Sequence, residues 1–217
     1  MIKDYFCRFV AVSVMFFWFL VCPVSSDELP VVTYLRGLEF FSSEFQEQRF
    51  SPDGAMVSSS QGKCRIHRPR KLYWEYSQPA RQVIISDGET LWIYEPELEQ
   101  VIKSSISTMA SSALSPLLES RERIDKLYTF EARSDLNWWR LRPVSVAKYS
   151  EAAKIDIKFM DGKIDQIKLT DPLGFVTKLF FTKIHYKAVK AAVFDFSPPD
   201  NIDVVNAGFN ENRDDLD

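Results

Sequence analysis

Glycine is scarce, with seven in 217 residues, and the chain has only two histidines and three cysteines. So little glycine argues against a glycine-rich nucleotide-binding protein. So few histidines and cysteines leave little material for a transition-metal site. No excess of basic charge exists either. Lys and Arg number 27 against 30 Asp and Glu, a net charge of -3, and no basic stripe of the kind that reads nucleic acid is visible. There is no Gly-x-Ser-x-Gly elbow, no His-Glu-x-x-His and no phosphate loop. His67 and His185 are not at metal-ligand spacing and read as solvated strand residues. The acidic pairs Asp53 with Glu47 and Asp161 with Asp165 read as turn or wet-face residues, whereas acid–base work needs burial. No catalytic residue, metal or cofactor is assigned, and the chain is not read as an enzyme.

Long apolar runs are also missing, with one exception. Phe9 to Val21 carries no charge, but its thirteen residues fall short of the about 20 that span a bilayer. Lys3 and Arg8 precede it, and Pro23-Val24-Ser25-Ser26 follows with small residues where a signal peptidase reads. Residues 1–26 are therefore expected to be a cleaved secretory signal, the other reading being an uncleaved anchor. Phe19-Leu20-Val21 before Cys22 is a poor lipobox. Loss of Lys3, Arg8 and Asp4 takes the net charge from -3 to -4. Cys64 is then the one remaining cysteine, so no internal disulfide is expected, and it reads as a small buried apolar residue.

What the chain does have is aromatic surface, 14% of residues, and a persistent period of two. Leu29, Val32, Leu35 and Leu38 recur at helical spacing after Asp27, a plausible N-cap. From about Phe41 the alternation begins. Strands are predicted over 56–66, 72–76, 81–86, 90–94, 100–103, 128–133, 138–141, 154–159, 163–170 and 175–184. Turn signals such as Asp87-Gly88 and Asp161-Gly162 separate them. Ile155, Ile157 and Phe159 oppose Lys154, Asp156 and Lys158, so one face is apolar and the other wet. Residues 90–94 (TLWIY) are apolar on both sides, which leaves their faces unassigned. Between the two runs of strands, 104–124 is rich in Ser and Ala. It reads as one or two weak helices broken near Pro116, covering something rather than forming rigid core. The expectation is one domain over 27–209, mainly β. Its curved antiparallel sheet forms an unclosed barrel lidded by short helices, with an acidic tail over 210–217.

The segment from Gly62 to Tyr76 is the most informative. Counting by twos, Lys63, Arg65 and His67 face water, while Cys64, Ile66 and Arg68 share the apolar face. Pro69 then stops the pairing. Arg68 is thus a cation at the rim of an apolar surface. One reading is a snorkelling arginine in an ordinary ion pair. The other is a polar latch at a cavity mouth, its fork of five donors aimed at helix-end carbonyls or a ligand head group. Leu72, Trp74 and Tyr76 fall on the same face of the next strand and are candidates to line a cavity. Trp92, Tyr94, Phe130, Ile157 and Phe159 are further candidates. Met109, Leu114, Leu117 and Leu118 are the apolar side chains of the lid.

Arg68-Pro69, Trp74, Pro79, the run Ser86-Asp87-Gly88-Glu89-Thr90-Leu91-Trp92-Ile93-Tyr94 and Gln100 together resemble the pattern of the LolA family, periplasmic carriers of outer-membrane lipoproteins. Ser115-Pro116, Trp139-Leu141-Pro143, Asp171-Leu173-Gly174 and Phe194-Phe196-Pro198-Pro199 extend the resemblance in the right order over nearly all of the mature chain. The chain departs from it at Leu72, where an aromatic residue is common. The resemblance implies about eleven antiparallel strands in an unclosed barrel around an apolar cavity. It implies a periplasmic monomer without cofactor or nucleic-acid partner. Such a protein takes lipidated lipoproteins from an inner-membrane ABC exporter (LolCDE-like) and passes them to an outer-membrane receptor (LolB-like). It also implies that Arg68 helps hold the lid shut. A carrier or sensor of another lipid or glycolipid on the same fold is the alternative.

Overall fold

A computed structural model describes residues 30–133, 135, 137–144 and 154–207. The expected signal segment, the Asp27 cap, Leu29 and the acidic tail lie outside the described residues. Helix α1 (Pro30–Gly37) opens on a proline, which is tolerated where a helix has no use for the N–H. Val31, Val32 and Leu35 bury its apolar stripe. Two antiparallel meanders follow. The first comprises β1 (Phe40–Phe50), β2 (Met56–His67), β3 (Lys71–Gln78), β4 (Gln82–Asp87), β5 (Thr90–Glu95) and β6 (Gln100–Ser105). After a helical segment come β7 (Tyr128–Ala132), β8 (Trp138–Pro143), β9 (Lys154–Met160), β10 (Lys163–Thr170) and β11 (Val176–His185). Pairing of β1 with β11 joins the meanders, and β12 (Asp203–Asn206) adds to β6. The result is one twelve-stranded sheet, ordered β12-β6-β5-β4-β3-β2-β1-β11-β10-β9-β8-β7 and not closed into a barrel. β12 runs parallel to β6, so the sheet departs from pure antiparallel order at that edge. The turn between β9 and β10 has Asp161 and Gly162 both at positive φ, the requirement of the tight hairpin their dipeptide announced.

The inner face of the sheet carries the core. Phe41, Phe45, Cys64, Ile66, Leu72 and Trp74 from the first meander meet Leu141, Ile155, Ile157, Ile164, Ile167 and Leu179 from the second. Burial pushes the Cys64 thiol up to about 12, so it stays protonated and unreactive at neutral pH. The connection between β6 and β7 closes this face. It consists of a 3-10 turn (Ile106–Ser111), α2 (Ser115–Leu118) and α3 (Arg121–Leu127). Pro116 does not break a helix here; it sits in the first turn of α2, and the break comes at Glu119 and Ser120. Nor is this connection merely a loose cover, since Ala113 to Leu118 are buried in the core itself.

The outer face is less wet than alternation predicts. Asp156 is buried, because Arg140 on the paired strand β8 grips it with two hydrogen bonds of 2.7 and 2.8 Å. His67 stacks on Phe40 with ring centroids 4.5 Å apart rather than standing free in water. After β11 the chain crosses the outside of the first meander, where a 3-10 turn (Ala191–Phe194) buries Phe194, and Phe196 follows. That strap explains the doubly apolar TLWIY. Leu91 and Ile93 are in register with Ser86 and Ile84 on the inner face, while Trp92 and Tyr94 point outward and pack on Phe196 at 5.7 and 5.8 Å.

Gly62 marks the closest approach within the sheet. It lies at a register shift between β2 and β3, and a Cβ there would stand 1.8 Å from the Glu75 carbonyl oxygen and 2.9 Å from the Phe45 ring. The obstructing atoms are largely backbone, so no side-chain rotation relieves them. Gly62→Ala is expected to destabilise the fold by about 3 kcal/mol, the upper range of overpacking. Gly37→Ala, with nothing within 4 Å of the added carbon, is the control and should leave stability nearly unchanged in the same denaturant titration.

Candidate functional site

Under the helical connection the core is incompletely filled. A cavity of about 160 Å³ lies between sheet and cover. Leu72, Trp74 and Tyr76 of β3 and Ile84 of β4 form one wall, and Leu169, Thr177 and Leu179 face them. Met109, Ser112, Ala113 and Leu114 make the roof. The aromatic wall is rigid: Trp74 stacks on Phe45 at 3.9 Å with the rings 26° apart, and Tyr76 meets Phe45 edge-on at 5.3 Å. A site of this size houses a guest of roughly benzene dimensions. A lipid acyl chain is larger than this volume.

The roof is pinned at one end by Arg68, which is 7% exposed. Its Nε donates to the Glu119 carbonyl at the end of α2. Its Nη1 donates to the Leu35 carbonyl in α1 and, at 3.1 Å, to the Leu38 carbonyl just beyond it. One guanidinium therefore ties together the C-terminal ends of two helices, where the backbone dipoles favour a cation. Burial lowers the Arg68 pKa to about 10, with Glu119 opposing the shift, so the group remains charged at neutral pH. Neighbouring contacts reinforce the knot. The Arg70 amide donates to the Leu118 carbonyl at 2.9 Å, and Arg70 and Arg123 flank the Glu119 carboxylate at 3.8 and 3.5 Å. Arg36 bridges to Asp125 at 2.7 Å, joining α1 to α3.

The structure thus brings Arg68, Leu72, Trp74, Tyr76, Met109 and Leu114 to one place. It puts other candidates elsewhere. Trp92 and Tyr94 stand on the outer face, because the pairing of β5 with β4 puts them in phase with Ile85 and Val83 rather than with Ile84. Ile157 and Phe159 share the inner face with the cavity but lie in its filled part, where Phe159 packs edge-on against Tyr34 at 5.1 Å. Phe130, paired with Leu141, packs against the same core, and Leu117 and Leu118 are buried with it rather than lining the cavity. By residue type Glu47 is expected on a wet face or in a turn. It is half-buried on the cavity wall instead and accepts a 3.0 Å hydrogen bond from the Tyr76 hydroxyl. Its phase with Phe41 and Phe45, six and two residues earlier on β1, was the signal for this. Leu169, Thr177 and Leu179 carried no signal beyond ordinary strand alternation. Among the described residues no group of three or more metal-ligating side chains exists, and no helix is long and apolar enough to cross a membrane.

A mainly antiparallel sheet left unclosed, curled about a small, largely apolar cavity and covered by helices tied down by a buried arginine, defines the class of lidded open-sheet proteins. The model of the family "Outer membrane lipoprotein carrier protein LolA" matches residues 36–197. The chain belongs to the LolA family. An outer-membrane lipoprotein carrier protein of Dechloromonas aromatica is 31% identical over 176 residues, covering 79% of this chain and 84% of that one. One from Halorhodospira halophila is 31% identical over 175 residues, covering 80% and 83%. Among solved structures, a LolA superfamily protein of Nitrosomonas europaea aligns with a TM-score of 0.48 at 14% identity over 76% of this chain and 96% of its own.

Trp74 is both wall and core, being 1% exposed while lining the cavity. Trp74→Ala is therefore expected to cost about 3–5 kcal/mol in a urea titration, as for a packed aromatic. A loss below about 1 kcal/mol would show that the indole is a free-standing liner.

Proposed function

We propose that this chain is a periplasmic carrier of lipidated lipoproteins. Residues 1–26 direct export, and the remaining chain works as a monomer. It accepts acyl chains from an inner-membrane ABC exporter of the LolCDE type and gives them up to an outer-membrane receptor of the LolB type. The observation that carries this reading is the Arg68 knot beside a cavity too small for its cargo. A permanent binding site would be preformed; this one is shut by contacts that have to be exchanged for ligand. Membership of a family whose relatives are named lipoprotein carriers supports the same reading.

Magnitudes favour a weak, non-directional grip. Exposing an acyl chain to water costs about 0.8 kcal/mol per CH₂, so two or three chains with roughly 30–45 such groups cost on the order of 25–35 kcal/mol. Non-covalent binding saturates near about 18–21 kcal/mol. A carrier that shielded the chains completely would never release them. Apolar walls such as Leu72, Ile84, Leu169 and Leu179 cover part of that surface and hold it without fixed geometry. The latch works against the load. A charge-assisted hydrogen bond is worth about 1.5–3 kcal/mol. That bond alone biases the roof toward its closed form by a factor of roughly ten to a hundred and fifty, and the burial of Ala113 to Leu118 adds to the bias. Incoming chains capture the open form, and the tendency of Arg68 to recover its carbonyls then drives release.

Arg68→Leu removes that driving force. In a two-stage assay, exporter to carrier and then carrier to receptor, the variant is expected to load lipoprotein normally and pass it on poorly. Arg68→Lys should rescue in part, since a single ammonium lacks the planar fork that reaches both helix ends. Wild-type rates in both stages for Arg68→Leu would reduce the arginine to a structural ion. Mass spectrometry of the lipid bound to the protein purified from the periplasm checks the cargo, and a glycolipid in place of lipoprotein would replace this reading with that of a glycolipid carrier.

A further inference from the structure

Glu47 is out of character with the rest of the cavity. Across the sheet its row continues as Leu179, Ile167, Ile157 and Trp139, all apolar. The carboxylate accepts one hydrogen bond, from Tyr76, and among the described residues it forms no ion pair. The nearest cation along β1, Arg49, is exposed at the rim, where it pairs with Asp171 at 3.8 Å and lies over the Phe175 ring at 4.9 Å. An ionised carboxylate offers about four acceptor positions, and burying it without a cation is costly. Desolvation accordingly holds the Glu47 pKa above the usual carboxylate range, while Tyr76 and Arg49 pull it back.

Its position along the cavity is as informative as its charge. Leu72 stands at the latched end, next to the turn that carries Arg68, and Tyr76 stands at the other end of the same strand face. Beyond Glu47 the strands come out into solvent, with Arg49, Ser58 and Ser59 exposed. On β1, Glu47 is therefore the last covered inward-facing group before the rim, one pair inside Thr177 of the neighbouring strand. An amphiphile with its chains directed toward Trp74 and Leu72 would leave its head group at Glu47.

We propose that Glu47, oriented by Tyr76, is a subsite for the primary ammonium of a doubly acylated ligand. The group this fits is the free α-amino group of a lipoprotein whose N-terminal cysteine carries acyl chains on its thioether glycerol alone. An aminophospholipid head group presents the same chemistry. A cysteine acylated also on nitrogen has an uncharged amide there and leaves the carboxylate unpaired. This inference rests on the carrier reading, and it makes the cavity selective rather than a plain apolar sink.

The test uses the full mature chain and two synthetic lipopeptides that differ only at the amine, one free and one N-acetylated, each with the same two acyl chains. Phosphatidylethanolamine and its N-acetylated form, in the same detergent, form the second arm. The free-amine lipopeptide is expected to bind about tenfold tighter than the N-acetylated one, the worth of one charge-assisted hydrogen bond in a partly wet site. In Glu47→Gln the two affinities should converge. Equal binding of the pair by the wild-type chain overturns the subsite without touching the carrier reading, and that comparison needs no variant to fold. A preference that survives in Glu47→Gln overturns it as well. Selectivity in the phospholipid arm alone keeps the ammonium subsite and assigns it to membrane lipid. Failure of both lipopeptides to bind counts against the carrier reading itself.

Discussion

One cation placed on the apolar phase of a strand organises this molecule. Arg68 continues the inward phase of Cys64 and Ile66 into the turn just after β2, where an aliphatic residue would serve packing better. Its charge is retained because three carbonyl oxygens from two helix ends converge on it. Those carbonyls lack partners within their own helices, so each side supplies what the other needs. The helical connection contributes little of its own to this closure. α2 has four residues and α3 seven, lengths at which an isolated helix does not form in water. Their structure is tertiary, lent by the sheet below and the arginine at the edge.

Much of this arrangement was legible in the sequence. Period-two alternation gives ten of the twelve strands nearly to their ends, marks only the start of β1 and does not announce β12, and the same count puts Arg68, Leu72, Trp74 and Tyr76 on one face. Four of the misses share a physical cause. Trp92, Tyr94, Asp156 and Glu47 all lie where the simple division into a wet and an apolar face breaks down. Trp92 and Tyr94 are covered by a strap arriving from about a hundred residues later in the chain, which no local pattern announces. Asp156 is covered by a partner on the neighbouring strand, and strand pairing is not written in either strand alone. Glu47 is charged, and residue type alone places it on a wet face, whereas its phase with Phe41 and Phe45 on β1 places it inward.

Two cores on opposite faces also account for the even division of apolar residues in the first meander. The inner one is shared by sheet, α1 and roof, and is incompletely filled. The outer one, around Phe194 and Phe196, is small, and it backs the sheet through His67 of β2 and Trp92 and Tyr94 of β5. A wall that forms a partly empty cavity needs such a backing, since it lacks full packing on its working side. β12, added in parallel beyond the strap, returns the end of this segment to the sheet and keeps it in place.

The unpaired edges at β12 and β7 give the sheet a property that a closed barrel lacks. In a closed barrel the number and stagger of strands fix the circumference, and any change of interior volume breaks ladder hydrogen bonds. Here the girth is free to vary at a seam where no ladder exists. The connection bearing α2 and α3 leaves from β6, beside one edge, and enters β7, which is the other. It therefore spans the seam like the tongue of a belt. Shifting this connection and widening the sheet at that seam would break no ladder hydrogen bond, a freedom that the strand count of a closed barrel removes.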